Sequence, residues 1–167
     1  MTIEQPLQEL SDRLQILNLL AGSALSSDVS SELYQRHLYS KHAVLDRHEE
    51  TPNYHGRDSI AGIMRDADHV AQVESGLLHL ASQTFVRITN DTAVACGYLQ
   101  VLRPYQEARP HDGVGDNGVT KPEVWMITAN VWRFERIDGE WLIVHRKLRD
   151  ALSEDGRALI RGVLEQA

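Results

Sequence analysis

Leucines recur at three- and four-residue steps near the start of the chain, at Leu7, Leu10, Leu14, Leu17 and Leu20. That spacing puts apolar side chains on one face of a helix, and Pro6 suits its first turn. An amphipathic helix is therefore predicted over residues 5–24, with the leucines as its apolar stripe. Small residues follow from Gly22 to Ser27, and Asp28 with Ser30 can open a second helix over residues 31–39, Asp28 acting as N-cap. A first strand is expected at residues 42–48 and a turn at 49–56. A third helix then begins at Arg57 and fades near Gln72, with Ile60, Ile63 and Met64 on its inner side.

From Leu77 the pattern changes to alternation. Residues 77–88 read as one long strand, so His79, Ala81, Gln83 and Phe85 share one face. Asn90-Asp91 marks a tight turn, residues 92–102 form the returning arm, and Arg103-Pro104 ends or bends it. Residues 111–118 are a glycine-rich connection, in the role of a lid or a solvated hairpin. Two further strands, 123–136 and 141–148, are joined at the hairpin turn Asp138-Gly139, and helical spacing resumes after Ser153. Helices first and then a strongly twisted antiparallel sheet of four or five strands make an α+β fold, one domain over residues 1–167. A sheet curled around the early helices encloses a pocket.

Composition narrows the function classes. Of 167 residues, 42% are hydrophobic and 25% charged, as in soluble globular proteins. The formal charge of -7 argues against a nucleic-acid partner, whose phosphates call for clustered Lys and Arg. No apolar run reaches membrane-spanning length, and the first residues lack the basic start and apolar core of a signal peptide. With Cys96 as the single cysteine, a reducing, cytoplasmic location is expected.

His79 is the ionisable side chain of the long strand, and two readings stand beside each other: a half-buried histidine bonded to a backbone carbonyl, or polar equipment of a cavity together with Gln83. On the first strand, Asp46 and Arg47 face opposite ways. The favoured register turns Arg47 inward, where a cation can stabilise an enolate or a leaving group. Tyr54 offers a phenol, or else a packed turn aromatic. Asn130, His145 and Arg146 are polar positions on the last two strands. By simple alternation His145 shares a face with Trp141 and Ile143, so one of His145 and Arg146 faces the pocket. His37, His42, His48, His55 and His69 have no metal-ligand spacing and are expected as scattered surface residues, with no metal site. Phosphate loops, dinucleotide fingerprints and nucleophile elbows are absent, so no cofactor is expected and acid-base chemistry in a dry cavity is favoured.

Four stretches together resemble a known family: the Leu-rich helix ending in Leu19-Leu20-Ala21, then Asp28, then His79-Leu80-Ala81-Ser82-Gln83, then Arg136-Ile137-Asp138-Gly139-Glu140-Trp141-Leu142-Ile143. In this order they are similar to the cone-shaped ketosteroid-isomerase and nuclear-transport-factor superfamily, in its SnoaL-like and scytalone dehydratase-like branch. The resemblance implies a catalytic dyad, with Asp28 orienting and His79 acting as base, and, through the steroid-isomerase members with a catalytic Asp in the first strand, Asp46 as the rival general base. Arg47, Tyr54, Gln83, Asn130 and Arg146 would then serve the substrate. It implies a cofactor-independent lyase or isomerase acting on a small apolar or aromatic molecule, and a homo-oligomer, dimer or trimer. An alternative within the same superfamily is a non-catalytic ligand binder or scaffold, such as the small subunit of a ring-hydroxylating dioxygenase. An aromatic residue often precedes the dyad Asp in the dehydratases. Here Ser27 stands there instead.

Overall fold

The computed structural model describes residues 4–47, 53–105 and 120–166. The glycine-rich connection at 111–118 and His48 lie outside these residues. Helices α1 (Glu4–Asp28) and α2 (Glu32–Leu38) lead into strand β1 (Tyr39–Asp46), a short β2 (Tyr54–His55), and helices α3 (Arg57–Gly62) and α4 (Ala67–Glu74). Strands β3 (Leu78–Ala81), β4 (Phe85–Thr89), β5 (Thr92–Pro104), β6 (Pro122–Ile137) and β7 (Glu140–Asp150) follow, and α5 (Glu154–Leu164) closes the chain. Among the described residues no helix is long and apolar enough to cross a membrane.

The strands form one curved, unclosed sheet in the order β2-β1-β7-β6-β5-β3, with β4 beside β5. Among the described residues it has seven strands rather than four or five. One pairing departs from the expected antiparallel pattern, because β1 runs parallel to β7. Three single-residue irregularities bend the ladder. The register shifts by one residue between β5 and β6 at Trp125 and between β6 and β7 at Val144. The third splits the long strand predicted at 77–88, since Ala81 pairs with Leu99 but Phe85 pairs with Cys96. Residues 82–84 therefore bulge opposite two residues of β5. Gly97 permits this, because a Cβ there would lie 3.3 Å from both Ser82 Oγ and Thr84 Oγ1. A bulge reverses the facing of everything beyond it, so Val86 turns inward into the core.

Helix α1 runs four residues past its predicted end. Ser26 Oγ donates to the Gly22 carbonyl at 2.6 Å and Ser27 Oγ to the Ser23 carbonyl at 3.0 Å; such back-bonding lets serines stay helical. The cap of α2 consequently falls to Ser31, whose hydroxyl accepts from the Tyr34 amide at 3.4 Å, and Asp28 is not an N-cap. The predicted third helix is likewise interrupted, because Asp66 leaves helical geometry and caps α4 by accepting from the Asp68 amide.

Most of the leucine stripe does not face the core. Leu7, Leu10, Leu14 and Leu17 are 60%, 53%, 54% and 36% exposed, whereas the last stripe position, Leu20, is buried together with Ile16. A charge pair sets this rotation. Arg136, on the hairpin arm of β6, lies over the Trp141 ring and donates to the buried Asp12 carboxylate at 2.6 Å. Gln8 adds a bond to the same carboxylate at 2.9 Å. Turning the leucines inward would strip Asp12 of these partners, and a buried carboxylate cannot be left unpaired.

Two stability measurements follow from this orientation. In urea unfolding, Ile16→Ala should cost about 2–5 kcal/mol, while Leu14→Gln should stay within about 0.5 kcal/mol; the opposite ranking would mean that the helix is turned the other way. The Arg136 hydrogen bond, outweighing burial, holds the Asp12 carboxyl below the usual carboxylate range. Its stabilising contribution is complete above the unfolded pKa of about 3.9 and is lost as pH falls through the lower folded value. Asp12→Asn should therefore be less stable than wild type at neutral pH, with the gap closing in strong acid.

Candidate active site

Asp28 is the last residue of α1, and β3 is the edge strand beside which that helix ends. The outward-facing amide of His79 donates to Asp28 Oδ1 at 2.9 Å, and the ring Nδ1 of the same residue lies 2.7 Å from the same oxygen. An ionised carboxylate only accepts, so Nδ1 carries the ring proton and Nε2 keeps a free lone pair. The side chains of His79 and Asp28 are 17% and 9% exposed. Burial depresses the His79 pKa below its ordinary value; Asp28 pulls it up less strongly, and the charges of Arg146 and His69 push it down further. The imidazole is thus neutral at neutral pH, the form that accepts a proton.

His79 is on the wall of a cavity of about 160 Å³ between the concave sheet and helices α2 to α4. Most of the wall is apolar, including Leu45, Ile60, Met64, Leu99, Val101 and Leu148. Its polar positions include Arg47, Gln35, His69, Thr128 and Arg146. A smaller lobe of about 40 Å³, sharing Ser27, His79, Leu99 and Arg146, extends toward Ala24 and Trp132.

The bulge at Val144 decides which residue of β7 faces this space. Simple alternation grouped His145 with Trp141 and Ile143, but the extra residue puts Arg146 on their face instead. Arg146 donates from Nε and Nη2 to Asn130 Oδ1 at 3.1 and 2.9 Å, and its guanidinium lies 5.5 Å from the Trp132 ring centre. Asn130 is completely buried, and its amide donates to the carbonyl and hydroxyl of Thr128 at 3.1 and 2.8 Å. Those bonds fix its oxygen toward Arg146. Asn130 thus stands behind the cavity wall as a support.

Other candidates divide. Arg47 reaches the cavity. Asp46 points the other way, where Arg149 at 2.8 Å and Lys147 at 3.6 Å hold its carboxylate. Burial alone would raise its pKa, but these cations keep it below the usual range, and it is not placed to act as the rival base. Tyr54 does not line the cavity; it packs against the core with the Arg47 guanidinium 5.9 Å from its ring centre. Gln83 is exposed within the bulge and is not on the cavity wall, because the strand that was to carry it inward is broken there.

Among the wall residues that were missed are His69 and Gln35. His69, expected at the surface, is aimed at the end of α1 by the break at Asp66 and donates from Nε2 to the Ser27 carbonyl at 3.1 Å. Gln35 is buried beside it, donating to the Ser23 carbonyl at 2.9 Å and Ser27 Oγ at 3.0 Å. Its position three residues before Leu38 on one helix face was the available signal. No group of three or more potential metal ligands occurs among the described residues.

Comparison with known proteins agrees with this architecture. A solved NTF2-like protein with a cystatin-like fold from Novosphingobium aromaticivorans superposes with a TM-score of 0.82 at 23% identity, over 95% of this chain and 94% of that one. Hexachlorocyclohexane dehydrochlorinase LinA-type3 from Novosphingobium barchaimii gives 0.67 at 14% identity, over 87% of this chain and 90% of that one. An NTF2-like superfamily protein from Salmonella enterica gives 0.63 at 12%, over 87% and 95%. At these identities the likeness is one of fold. No curated protein matches the sequence. The SnoaL-like domain model matches residues 8–147, and the chain belongs to that family.

Proposed function

We propose that the protein is a cofactor-independent lyase or isomerase that removes a proton from carbon with His79 as general base and Asp28 as its orienting partner. The observation that carries the reading is the 2.7 Å contact between His79 Nδ1 and Asp28 Oδ1 at the wall of a largely apolar cavity. The pair also joins α1 to β3, which a scaffold could use, but the place of His79 on the wall of both cavity lobes favours the catalytic reading. The fold likeness to a dehydrochlorinase supports the same direction.

In the elimination form, Nε2 of His79 takes the proton from a substrate carbon. The C–H electron pair becomes the new double bond, and the leaving group departs from the neighbouring carbon with its own bonding pair. Asp28 stabilises the imidazolium that forms. Arg146, held by Asn130 and already paired with a neutral acceptor, faces the negative charge that develops on the leaving group or an enolate oxygen. In the isomerisation form, His79 returns the proton to a different carbon and no group leaves.

Chloride release from hexachlorocyclohexane and water loss from an aryl β-hydroxy ketone are suitable assays. On whichever substrate the wild type turns over, His79→Gln should lower kcat by about 10²–10⁴-fold, and Asp28→Asn should lose turnover as well. Circular dichroism should be unchanged in both. Full activity in either folded variant would rule out the dyad. The pH profile is a separate check. Because the base must be neutral and burial lowers its pKa, kcat/KM should rise with pH, with its midpoint below about 6.5, and then level off. A midpoint well above that value would assign the limb to another group.

A further inference from the structure

Two arginines on the cavity wall have no carboxylate partner among the described residues. Arg146 bonds the neutral Asn130, and Arg47 lies against the Tyr54 ring. The nearby carboxylates are committed elsewhere, Asp28 to His79 and Asp46 to Arg149 and Lys147. Even with Asp28 set against Arg146, one cation remains in excess, in a chain whose formal charge is -7. Global electrostatics therefore do not explain the pair.

The arginines are placed differently. Arg146 lines both lobes beside His79 and is close enough to depress its pKa, so it belongs to the reacting centre. Arg47 borders both the cavity and a neighbouring surface groove, which also share Met126, Thr128 and Leu148. In the parallel β1–β7 ladder Arg146 pairs with Leu45. Arg47, two residues on, is its diagonal neighbour on the same face, with backbones on the order of 7–8 Å apart. The span suits one small molecule.

We propose that the substrate is an amphipathic carboxylate: its apolar body fills the cavity, its reacting carbon lies between His79 and Arg146, and its carboxylate is anchored on the groove side by Arg47. A guanidinium offers paired N–H donors that match a carboxylate bidentately, and a single such fork there suits this group better than a phosphate with more oxygens to satisfy. This specificity rests on the reading of the cavity as an active site, and it assigns Arg47 to binding rather than to the chemical step.

Calorimetric titration with 3-phenylpropanoate and its uncharged amide tests the anchor without turnover. The wild type should bind the carboxylate at least tenfold more tightly than the amide, with the preference shrinking as salt is raised. Arg47→Met should abolish the preference, Arg47→Lys should retain part of it, and His79→Gln should retain it in full. Equal binding of the two compounds, an unchanged preference in Arg47→Met, or no binding of the carboxylate would overturn the proposal. Because the titration of His79→Gln reads binding alone, the anchor can fail while the dyad stands, and the reverse.

Discussion

A carboxylate at the C-terminal end of a helix faces the negative end of the helix dipole, and burial makes its position worse. Asp28 occupies such a place. What makes it tolerable is a pair of donors from one residue of another element, the amide and the ring of His79. The contact spans 51 positions of sequence and joins the end of α1 to the edge strand β3. It also satisfies an edge amide that would otherwise need water. The helix C-terminus that burdens an isolated Asp28 favours a positive charge opposite it, although burial works against that charge, so an imidazolium formed at His79 meets both a carboxylate and a helix C-terminus.

Around that contact, irregular positions do the aiming. The extension of α1 through its serines carries Asp28 to β3, and the cap at Ser31 leaves the carboxylate free for it. The break at Asp66 brings His69 against the Ser27 carbonyl. The bulge at Val144 delivers Arg146 to the inner face, and the bulge at 82–84 ends the strand just past His79. Bulges bend strands and re-aim side chains. Here they convert a regular ladder into a concave wall with an imidazole and a guanidinium beside each other.

The α+β class, the order of elements and the two tight turns were legible because they depend on strong local signals: period, glycine, and the Asp-Gly and Asn-Asp pairs. Asp28, His79, Arg47 and Arg146 were also legible as residues worth following. Facing was less readable. One inserted residue reverses it, and nothing in the alternation of residues 77–88 announces the bulge that exposes Gln83. On α1, the leucine period pointed to a stripe of which the structure leaves all but Leu20 in solvent, with Asp12 instead on the inward side, paired to Arg136. A charge whose partner is 124 positions away leaves no local periodic trace. His69 and Gln35 escaped notice for a related reason: their roles depend on where α1 ends.

The central claim is that His79 rests neutral, with its proton on Nδ1 toward Asp28 and Nε2 free to accept another. Long-range nitrogen–proton correlation spectra of histidine-labelled protein read tautomer and charge together. A neutral Nδ1–H ring at pH 7, protonating only below about pH 6.5, is the expected result. An Nε2–H tautomer, or a ring already charged at neutral pH, would contradict it.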